Sequence, residues 1–310
     1  MILTVTLNAA LDVTYRIGRL RPQGSNRVRA TAERAGGKGV NVARVLHALG
    51  RPTAVTGLVG GLTGQAIRGE LAAAGLADRM LAIEGESRRT VAVVEESVGD
   101  TTILLEPGPV VGAEEWAGFL DHLAALLPQA AAVVLSGSLP RGVPDDAYAQ
   151  LLGLAHARGV PAVLDADGPV LRAGLPAGPD LVKPNADELA AATGLTDPVA
   201  AAGALVDAGA GAVVASLGPD GLIAVTPQGS WRARSPERLV GNPAGAGDAA
   251  VAALTLGLVT GTPWVDRLAE AVALSAAAVA APLAGDFDPA VHRALRPRVD
   301  VQPLHRPRSS

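Results

Sequence analysis

The sequence predicts an α/β fold in which helices cover both faces of a mostly parallel sheet. Short apolar runs, consistent with buried strands, alternate along the chain with longer runs typical of helices. Two other stretches follow a period-two pattern and predict a small separate sheet. With 310 residues, 49% of them hydrophobic, the chain is long enough for one large domain with such an addition.

The main sheet is expected from six apolar runs. The first, Ile2–Leu7, is followed by a glycine-rich turn and a helix at Val40–Leu49. The other runs are Thr53–Val59, Ala131–Leu135, Pro161–Asp165, Asp180–Lys183 and Gly211–Ser216. Helical patterns between them cover Glu114–Leu127, Asp145–Arg158, Asp187–Thr193 and Pro198–Ala208. Ligands of such sheets bind at the carboxyl ends of the strands, so we expect a site in the loops that follow them.

The small sheet is expected from Val13–Arg34 and Thr90–Leu105. Residues that favour strands alternate there with polar or charged ones, which predicts half-exposed antiparallel strands. A sheet with one apolar face needs a cover, so we expect a lid over a site, a dimer contact, or both.

These segments define one domain and a tail. We expect the domain over residues 1–296, with lid strands from about 12–34 and 90–106. Residues 297–310 are rich in Pro and Arg and are expected to be a mobile end.

The composition excludes several classes of protein. The net charge of -4 argues against nucleic acid as a partner, because such proteins normally carry a basic surplus. With 0 cysteines, the chain has no disulfide and no thiolate metal site or nucleophile. The first residues lack the basic start of a secretory signal, and Ala269–Ala284 is too short and too weakly apolar to cross a membrane. We therefore expect a cytoplasmic protein with no membrane partner.

The segment Gly241–Ala250 places small residues directly before a helical run. Gly245, Ala246 and Gly247 let backbone N–H groups approach an anion, and the helix N-terminus adds a favourable dipole. Asp248 at this junction is suited to take a proton from an attacking hydroxyl. The same pattern is typical of a glycine-rich turn with an aspartate capping a helix, so the motif alone leaves both interpretations open.

A second glycine turn, Ala35–Ala43, also enters a helix. Its glycines, Gly37 among them, let a sugar approach the backbone. The side chains of Lys38 and Asn41 can form hydrogen bonds with such a ligand. The spacing is not that of a P-loop, and no Ser or Thr follows the lysine. A plain helix start with a solvated Lys38 is the alternative.

A third motif, Lys183–Glu188, follows a predicted strand. Asn185 and Glu188 lie three residues apart at a helix start, so both can face one pocket, and Glu188 can hold Mg²⁺ through water. Taken alone, the motif favours a structural interpretation, in which Asn185 caps the helix and Glu188 completes a capping box.

Together and in this order, the motifs resemble the ribokinase/phosphofructokinase-B family of sugar kinases over nearly the whole chain. AGGKGVNVARVLHALG is similar to the N-terminal glycine signature of that family, and NPAGAGDAAVAAL to the signature around its catalytic aspartate. VKPNADEL carries the Asn-x-x-Glu element, and SLGPDG is similar to the nucleotide-side loop. The resemblance implies a ribokinase-like three-layer αβα sandwich with a projecting β-sheet lid. It also implies a carbohydrate kinase that uses ATP and Mg²⁺.

Within the family, the chain resembles the tagatose-6-phosphate kinase and 1-phosphofructokinase branch. The segments that carry this likeness are MILTVTLNAALDVTY, SNRVRATAERAGGKG, GESRRTVAVV and LSGSLPRGV. The resemblance implies a homodimer that shares the lid, with Asp248 as the base and Gly245, Ala246 and Gly247 as the anion hole. The expected sugar ligands are Asp12, Gly37, Lys38, Asn41 and Ser138, with Arg27 and Arg88 at the sugar phosphate. The expected ligands of the nucleotide are Lys183, Asn185, Ser216, Gly218, Gly221 and Gly247, with Glu188 toward the metal.

The implied reaction is phosphorylation of a ketohexose phosphate, tagatose-6-phosphate or fructose-1-phosphate, to the bisphosphate. A 6-phosphofructokinase is an alternative, although that branch has a lysine near the position of Ser25 and an arginine near that of Ile103. A kinase of an unphosphorylated sugar or a nucleoside is a second alternative. The three cations Arg27, Lys38 and Arg88 argue against it, because a neutral ligand does not need positive charge at its site. A non-catalytic sugar-binding regulator is the alternative outside enzymes, and the intact motif around Asp248 argues against it.

Overall fold

The computed structural model of the chain describes residues 1–304 and confirms an α/β fold. Its strands are β1 (Ile2–Thr6), β2 (Ala10–Ile17), β3 (Ala30–Gly36), β4 (Thr53–Gly60), β5 (Ala77–Asp78), β6 (Leu81–Ile83), β7 (Arg88–Glu95), β8 (Asp100–Leu105), β9 (Ala132–Ser136), β10 (Ala162–Asp165), β11 (Leu181–Val182), β12 (Val213–Ser216), β13 (Leu222–Thr226), β14 (Gly229–Arg234) and β15 (Asp300–Leu304). Its helices are α1 (Lys38–Ala48), α2 (Gly61–Ala73), α3 (Ala113–Leu126), α4 (Ala147–His156), α5 (Gly168–Gly174), α6 (Ala186–Thr193), α7 (Pro198–Asp207), α8 (Ala246–Thr260), α9 (Trp264–Val279) and α10 (Pro289–Leu295).

The main sheet contains all six predicted strands. Its order is β15-β14-β13-β12-β11-β10-β9-β1-β4-β5, and β6 also pairs with β4. The strands from β12 through β1 to β4 run parallel, whereas β13, β14 and β15 are antiparallel. Every residue of β1 and β4 is buried, as expected for strands that carry helices on both faces.

Two apolar cores cover the two faces of this sheet. Val133 and Leu135 of β9 belong to the core under α3–α7, whereas Val134 between them belongs to the core under α1, α8 and α9. The second core is rich in alanine, as expected of a chain with only 2% aromatic residues. Among residues 1–304, no single helix is long and apolar enough to cross a membrane, and one bent pair, α6 with α7, would meet that test together.

The lid sheet has the order β3-β2-β7-β8. The expectation of antiparallel strands is correct for β2–β3 and β7–β8 but wrong for the central pair, because β2 and β7 are parallel. Both strands leave the main domain at the same place, with Ala10 opposite Arg88, and therefore run in the same direction. Leu11, Val13 and Ala35 anchor the base of the lid in an apolar cluster with α1 and α2.

The C-terminal segment corrects the expectation of a mobile tail from residue 297. Strand β15 pairs with β14 along its whole length, with Trp231 opposite Pro303 and Arg232 opposite Gln302. The strand covers the edge that β14 would otherwise expose, and its proline is tolerated at an edge position. The domain therefore extends at least to Leu304, and the rest of the predicted tail, 305–310, lies outside the described residues.

Candidate active site

Two adjoining cavities open where the parallel strands end. The larger, of about 820 Å³, lies between the N-termini of α6 and α8. The smaller, of about 170 Å³, lies between the end of β9 and the base of the lid sheet. Lys38 lines both cavities, so the two cavities meet at this residue.

The first turn of α8 forms one wall of the larger cavity. Gly245 has a φ of 85°, and a Cβ atom there would lie 2.8 Å from the Cα of Ala284, so only glycine fits. Gly245, Ala246 and Gly247 all line the cavity, and the helix N-terminus directs free N–H groups into it. This wall is suited to bind an anion.

Asp248 lies in the same turn with only 7% of its surface exposed. Asn41 of α1 donates a hydrogen bond from Nδ2 to Oδ2 of Asp248, over 2.8 Å. Burial and, to a smaller extent, the nearby carboxylate of Asp165 raise the pKa of Asp248 to about 7, against the opposing effects of Asn41, Lys38 and Lys183. A carboxylate with this pKa is suited to accept a proton near neutral pH.

A buried carboxylate between two lysines lies beside Asp248. Oδ1 of Asp165 is 3.5 Å from Nζ of Lys38 and 3.5 Å from Nζ of Lys183. Ser136 donates a hydrogen bond of 3.1 Å to the other carboxylate oxygen. Burial alone would raise the pKa of Asp165, but Lys183 and Lys38 outweigh it and hold the pKa below its usual value. Both lysines line the larger cavity.

The smaller cavity joins the end of β9 to the lid. Arg88 of β7 donates from Nε to the backbone oxygen of Asn8 over 3.1 Å, and Nδ2 of Asn8 donates to Ser138 Oγ over 3.2 Å. Gly37 and Lys38 complete the lining beside these residues. The structure therefore brings together four of the predicted sugar ligands, Gly37, Lys38, Arg88 and Ser138.

Three other predicted sugar ligands line neither cavity. Asp12 lies on β2, where burial raises its pKa against the opposing effects of Thr90 and Arg88. Asn41 is occupied by its bond to Asp248. Arg27 is exposed in the segment between β2 and β3, so the structure does not bring it together with Lys38 and Arg88.

The predicted nucleotide ligands surround the larger cavity. Lys183, Asn185, Ser216, Gly218 and Gly221 all line it. The structural interpretation of the third motif is correct, because Asn185 and Glu188 form the expected capping box. Asn185 Oδ1 accepts from the backbone N–H of Glu188, and Glu188 Oε2 accepts from that of Asn185, both over 2.8 Å. The second oxygen of Glu188 remains in the cavity, 3.9 Å from Nζ of Lys38.

Comparison with known proteins identifies the family of the chain. The family model described as "pfkB family carbohydrate kinase" matches residues 5–290. The chain belongs to the pfkB family. It is therefore a carbohydrate kinase, and the predicted family, fold class and enzyme class are confirmed.

Solved structures similar to this pfkB kinase cover almost its whole length. Phosphofructokinase-2 from Escherichia coli, in complex with potassium, is 29% identical and superposes with a TM-score of 0.91 over 96% of this chain and 98% of that one. The same protein has been solved with fructose-6-phosphate and in a tetrameric inhibited form. A possible 1-phosphofructokinase from Thermotoga maritima is 28% identical, with a TM-score of 0.88 over 98% and 99% of the two chains. Ribokinase from Arabidopsis thaliana, at 23% identity and a TM-score of 0.76 over 95% and 98%, shares the fold.

Sequence reasoning missed two residues of this site, Asp165 and Asn8. Asp165 ends the predicted strand Pro161–Asp165, and a carboxylate at the carboxyl end of a buried parallel strand was a signal that pointed to the site. Ser136 is opposite Asp165 in the register of β9 and β10. Asn8 follows β1 in the same way, and its role as a link between Arg88 and Ser138 is visible only in three dimensions.

The carboxylates of the site fit Mg²⁺ held mainly by water and phosphate. Residues 1–304 contain no group of three or more side chains arranged to hold a metal ion. Mg²⁺ in kinases is usually bound by one or two carboxylates together with substrate phosphates and water. Asp165 and Glu188 line the same cavity and would supply the two carboxylates.

Proposed function

We propose that this kinase transfers the γ-phosphoryl group of ATP to a hydroxyl of a ketohexose phosphate, tagatose-6-phosphate or fructose-1-phosphate, giving the bisphosphate. The observation that carries the proposal is a small cavity bordered by two cations, Lys38 and Arg88, next to the turn that holds Asp248. A neutral sugar would give no reason to place a lysine and an arginine at one small cavity, whereas an arginine fork binds phosphate oxygens in pairs.

In this mechanism Asp248 is the general base. The acceptor hydroxyl binds beside its carboxylate and loses its proton to it as the oxygen attacks the γ-phosphorus. The pKa of about 7 supports this role, because the carboxylate is then half ionised at neutral pH and still basic enough to take the proton. The bond to Asn41 fixes the orientation of the carboxylate.

The turn before α8 stabilises the transferring group. The N–H groups of Gly245 and Gly247 and the helix dipole oppose the negative charge on the equatorial phosphoryl oxygens, whereas the N–H of Ala246 donates to the backbone oxygen of Pro243. Lys38, at the junction of the two cavities, neutralises charge between donor and acceptor. Closure of the lid sheet excludes water that would otherwise hydrolyse ATP.

ATP occupies the larger cavity, with its phosphates toward Lys183, Asn185 and the turn before α8. Ser216, Gly218 and Gly221 lie on the nucleotide side of the same cavity. Asp165 and Glu188 are the residues that would hold Mg²⁺, which when bound neutralises phosphate charge. A cytoplasmic location, where ATP and sugar phosphates meet, fits this assignment.

We also propose that the chain forms a homodimer through the lid. The strand β8 is exposed along its whole length, with Ile103 at 58%, Leu104 at 57% and Leu105 at 69% exposure. Apolar residues exposed in a row on an edge strand favour pairing with another chain.

The second candidate acceptor is fructose-6-phosphate. It is supported by the likeness to Escherichia coli phosphofructokinase-2, which has been solved with that sugar. It is opposed by the lid, where Ser25 and Ile103 supply no positive charge at the two positions where that branch has a lysine and an arginine.

A coupled assay of ADP release with Mg·ATP tests the proposal. The panel is tagatose-6-phosphate, fructose-1-phosphate, fructose-6-phosphate, fructose and ribose, each with wild-type protein and with Asp248→Asn. We expect one phosphorylated ketohexose to be preferred, and the variant to lose turnover by about 10²–10⁴. Turnover of unphosphorylated sugars alone would overturn the assignment of Lys38 and Arg88. A near-normal rate in the variant would overturn the assignment of the base.

A further inference from the structure

An ion pair joins the lid to the segment between α9 and α10. The guanidinium group of Arg34 on β3 holds the carboxylate of Asp286 with two parallel hydrogen bonds, of 2.9 Å from Nη1 to Oδ2 and 2.5 Å from Nη2 to Oδ1. The arginine side chain is only 20% exposed. A partly buried, two-pronged pair of this kind fixes geometry as well as adding energy.

The segment that carries Asp286 also supports the anion turn. A Cβ atom at Gly245 would lie 2.8 Å from Ala284 Cα and 2.9 Å from Gly285 N, so the two backbones are in contact. The side chain of Asn242 donates to the backbone oxygen of Pro282 over 3.2 Å, which ties the same two segments together.

The segment touches the residue that orients the base as well. A Cβ atom at Gly285 would lie 3.1 Å from Asn41 Cα and 3.2 Å from Asn41 Oδ1. Asn41 donates to Asp248. Residues 284–286 therefore contact the anion turn, the orienting amide and the lid through three consecutive positions.

At its other end, the pair lies next to the expected sugar ligand of the lid. Arg34 is directly opposite Asp12 in the register of β2 and β3. Any change in the position of β3 when a sugar binds beneath the lid therefore reaches Asp286 through the guanidinium group.

We propose that Arg34 and Asp286 form a positioning pair that couples the lid to the anion turn. Neither residue touches the reacting atoms. The pair holds residues 284–286 against Gly245 and Asn41 when the lid strand is in its closed position, and so assembles the turn and the base together with the sugar site. The kinetic part of this inference rests on the proposed function; the structural coupling does not.

Hydrogen–deuterium exchange of the full chain tests the coupling without any substrate. The variants are Asp286→Asn, Arg34→Met and the charge swap Arg34→Asp with Asp286→Arg. The matched control is Arg29→Met, which removes another lid ion pair, to Glu96 at 2.9 Å, far from the anion turn in the sheet register. We expect amides of residues 242–247 to exchange roughly threefold faster in either single variant, and at the wild-type rate in the control. The swap should restore slow exchange.

Steady-state kinetics distinguish positioning from general stability. With the sugar phosphate that the wild type uses, we expect kcat to fall roughly three- to tenfold in Asp286→Asn while KM for ATP stays within about twofold. Exchange in 242–247 that stays unchanged in both single variants would overturn the coupling. A kcat unchanged in a variant with faster exchange would overturn its catalytic effect. A wild-type protein that phosphorylates no sugar would instead refute the proposed function, and the exchange experiment would still decide the coupling.

Discussion

Asn41 donates a hydrogen bond to Asp248 across 207 positions of sequence, and this bond joins the two glycine motifs of the chain. Each motif enters its own helix, α1 or α8, and the two helices pack side by side under the same face of the sheet. Because the bond favours the ionised carboxylate, it also opposes the effect of burial on the pKa of Asp248. The contact therefore fixes where the base points and favours its charged form.

The first prediction concerns the pH dependence of catalysis. The pKa of Asp248 is about 7, so kcat/KM of the wild type should rise with pH through a midpoint near that value. Asn41→Ala removes a hydrogen bond that lowers the pKa, so its midpoint should move to higher pH. Profiles measured between pH 5 and about 9 check this. A variant with reduced rate but an unmoved midpoint would show that Asn41 does not control ionisation.

The second prediction concerns stability and pH. Burial raises the folded-state pKa of Asp248 above its unfolded value, so the folded wild type retains a proton that the unfolded chain releases between about pH 4 and 7. Wild-type stability should lose this contribution as pH rises through that window. Asp248→Asn has no carboxyl group to ionise at this position, so it does not lose stability in this way. The free energy of unfolding of the variant, relative to that of the wild type, should therefore increase from about pH 4 to pH 7 and stay constant above about pH 7. Urea unfolding at several pH values measures the difference.

The third prediction concerns the carboxylate between the lysines. Asp165→Asn leaves Lys38 and Lys183 without their shared counter-charge, and breaking a buried pair typically costs about 3 kcal/mol or more. Because the two lysines hold the pKa of Asp165 below its usual value, the stability that the ionised carboxylate contributes to the fold is present above about pH 4 and is lost in acid. The penalty of the variant should therefore be large at pH 7 and shrink on acidification. Asp167→Asn, an exposed neighbour in the loop after β10, is the control and should unfold like the wild type.

The fourth prediction separates backbone strain from function at the two ends of α8. Gly245 and Gly261 both have left-handed φ values, 85° and 65°, but a Cβ atom would clash only at Gly245. Gly261→Ala should cost about 1 kcal/mol of stability with kcat unchanged. Gly245→Ala should cost stability and also lower kcat, because the new Cβ atom forces Ala284 and the anion turn to move apart. Equal kcat losses in both variants would show that the turn contributes nothing specific.

Much of the main sheet was predictable because a parallel strand buried on both faces is a short, continuous apolar run. Asp180–Lys183 is only four residues long, yet its short apolar run correctly predicts the strand Leu181–Val182, which lies between β10 and β12. The antiparallel edge was not predicted. The strand Gly229–Arg234 contains Ser and two Arg residues, and its hydrogen-bonding partner, Asp300–Leu304, is separated from it by two long helices.

The candidate site was predictable where one local motif carries it, as at Gly245–Asp248 and Lys183–Glu188. It was not predictable where distant segments combine. Asp165 becomes part of the site only because Lys38 reaches it from α1 and Lys183 from the end of the neighbouring strand β11. Arg34 and Asp286 are ordinary charged residues in sequence, and their relationship arises from the way the lid meets the main domain.

The pairing of β15 with β14 has a consequence for how the protein is made. Every residue proposed here for the site precedes Asp300, so a nascent chain holds the whole site before the segment that covers the sheet edge has been synthesised. A chain terminated just before Asp300 would keep the catalytic residues and present Gly229–Arg234 as an open strand to other chains. Such a product would aggregate during expression because of its open strand, although it lacks none of the residues of the site.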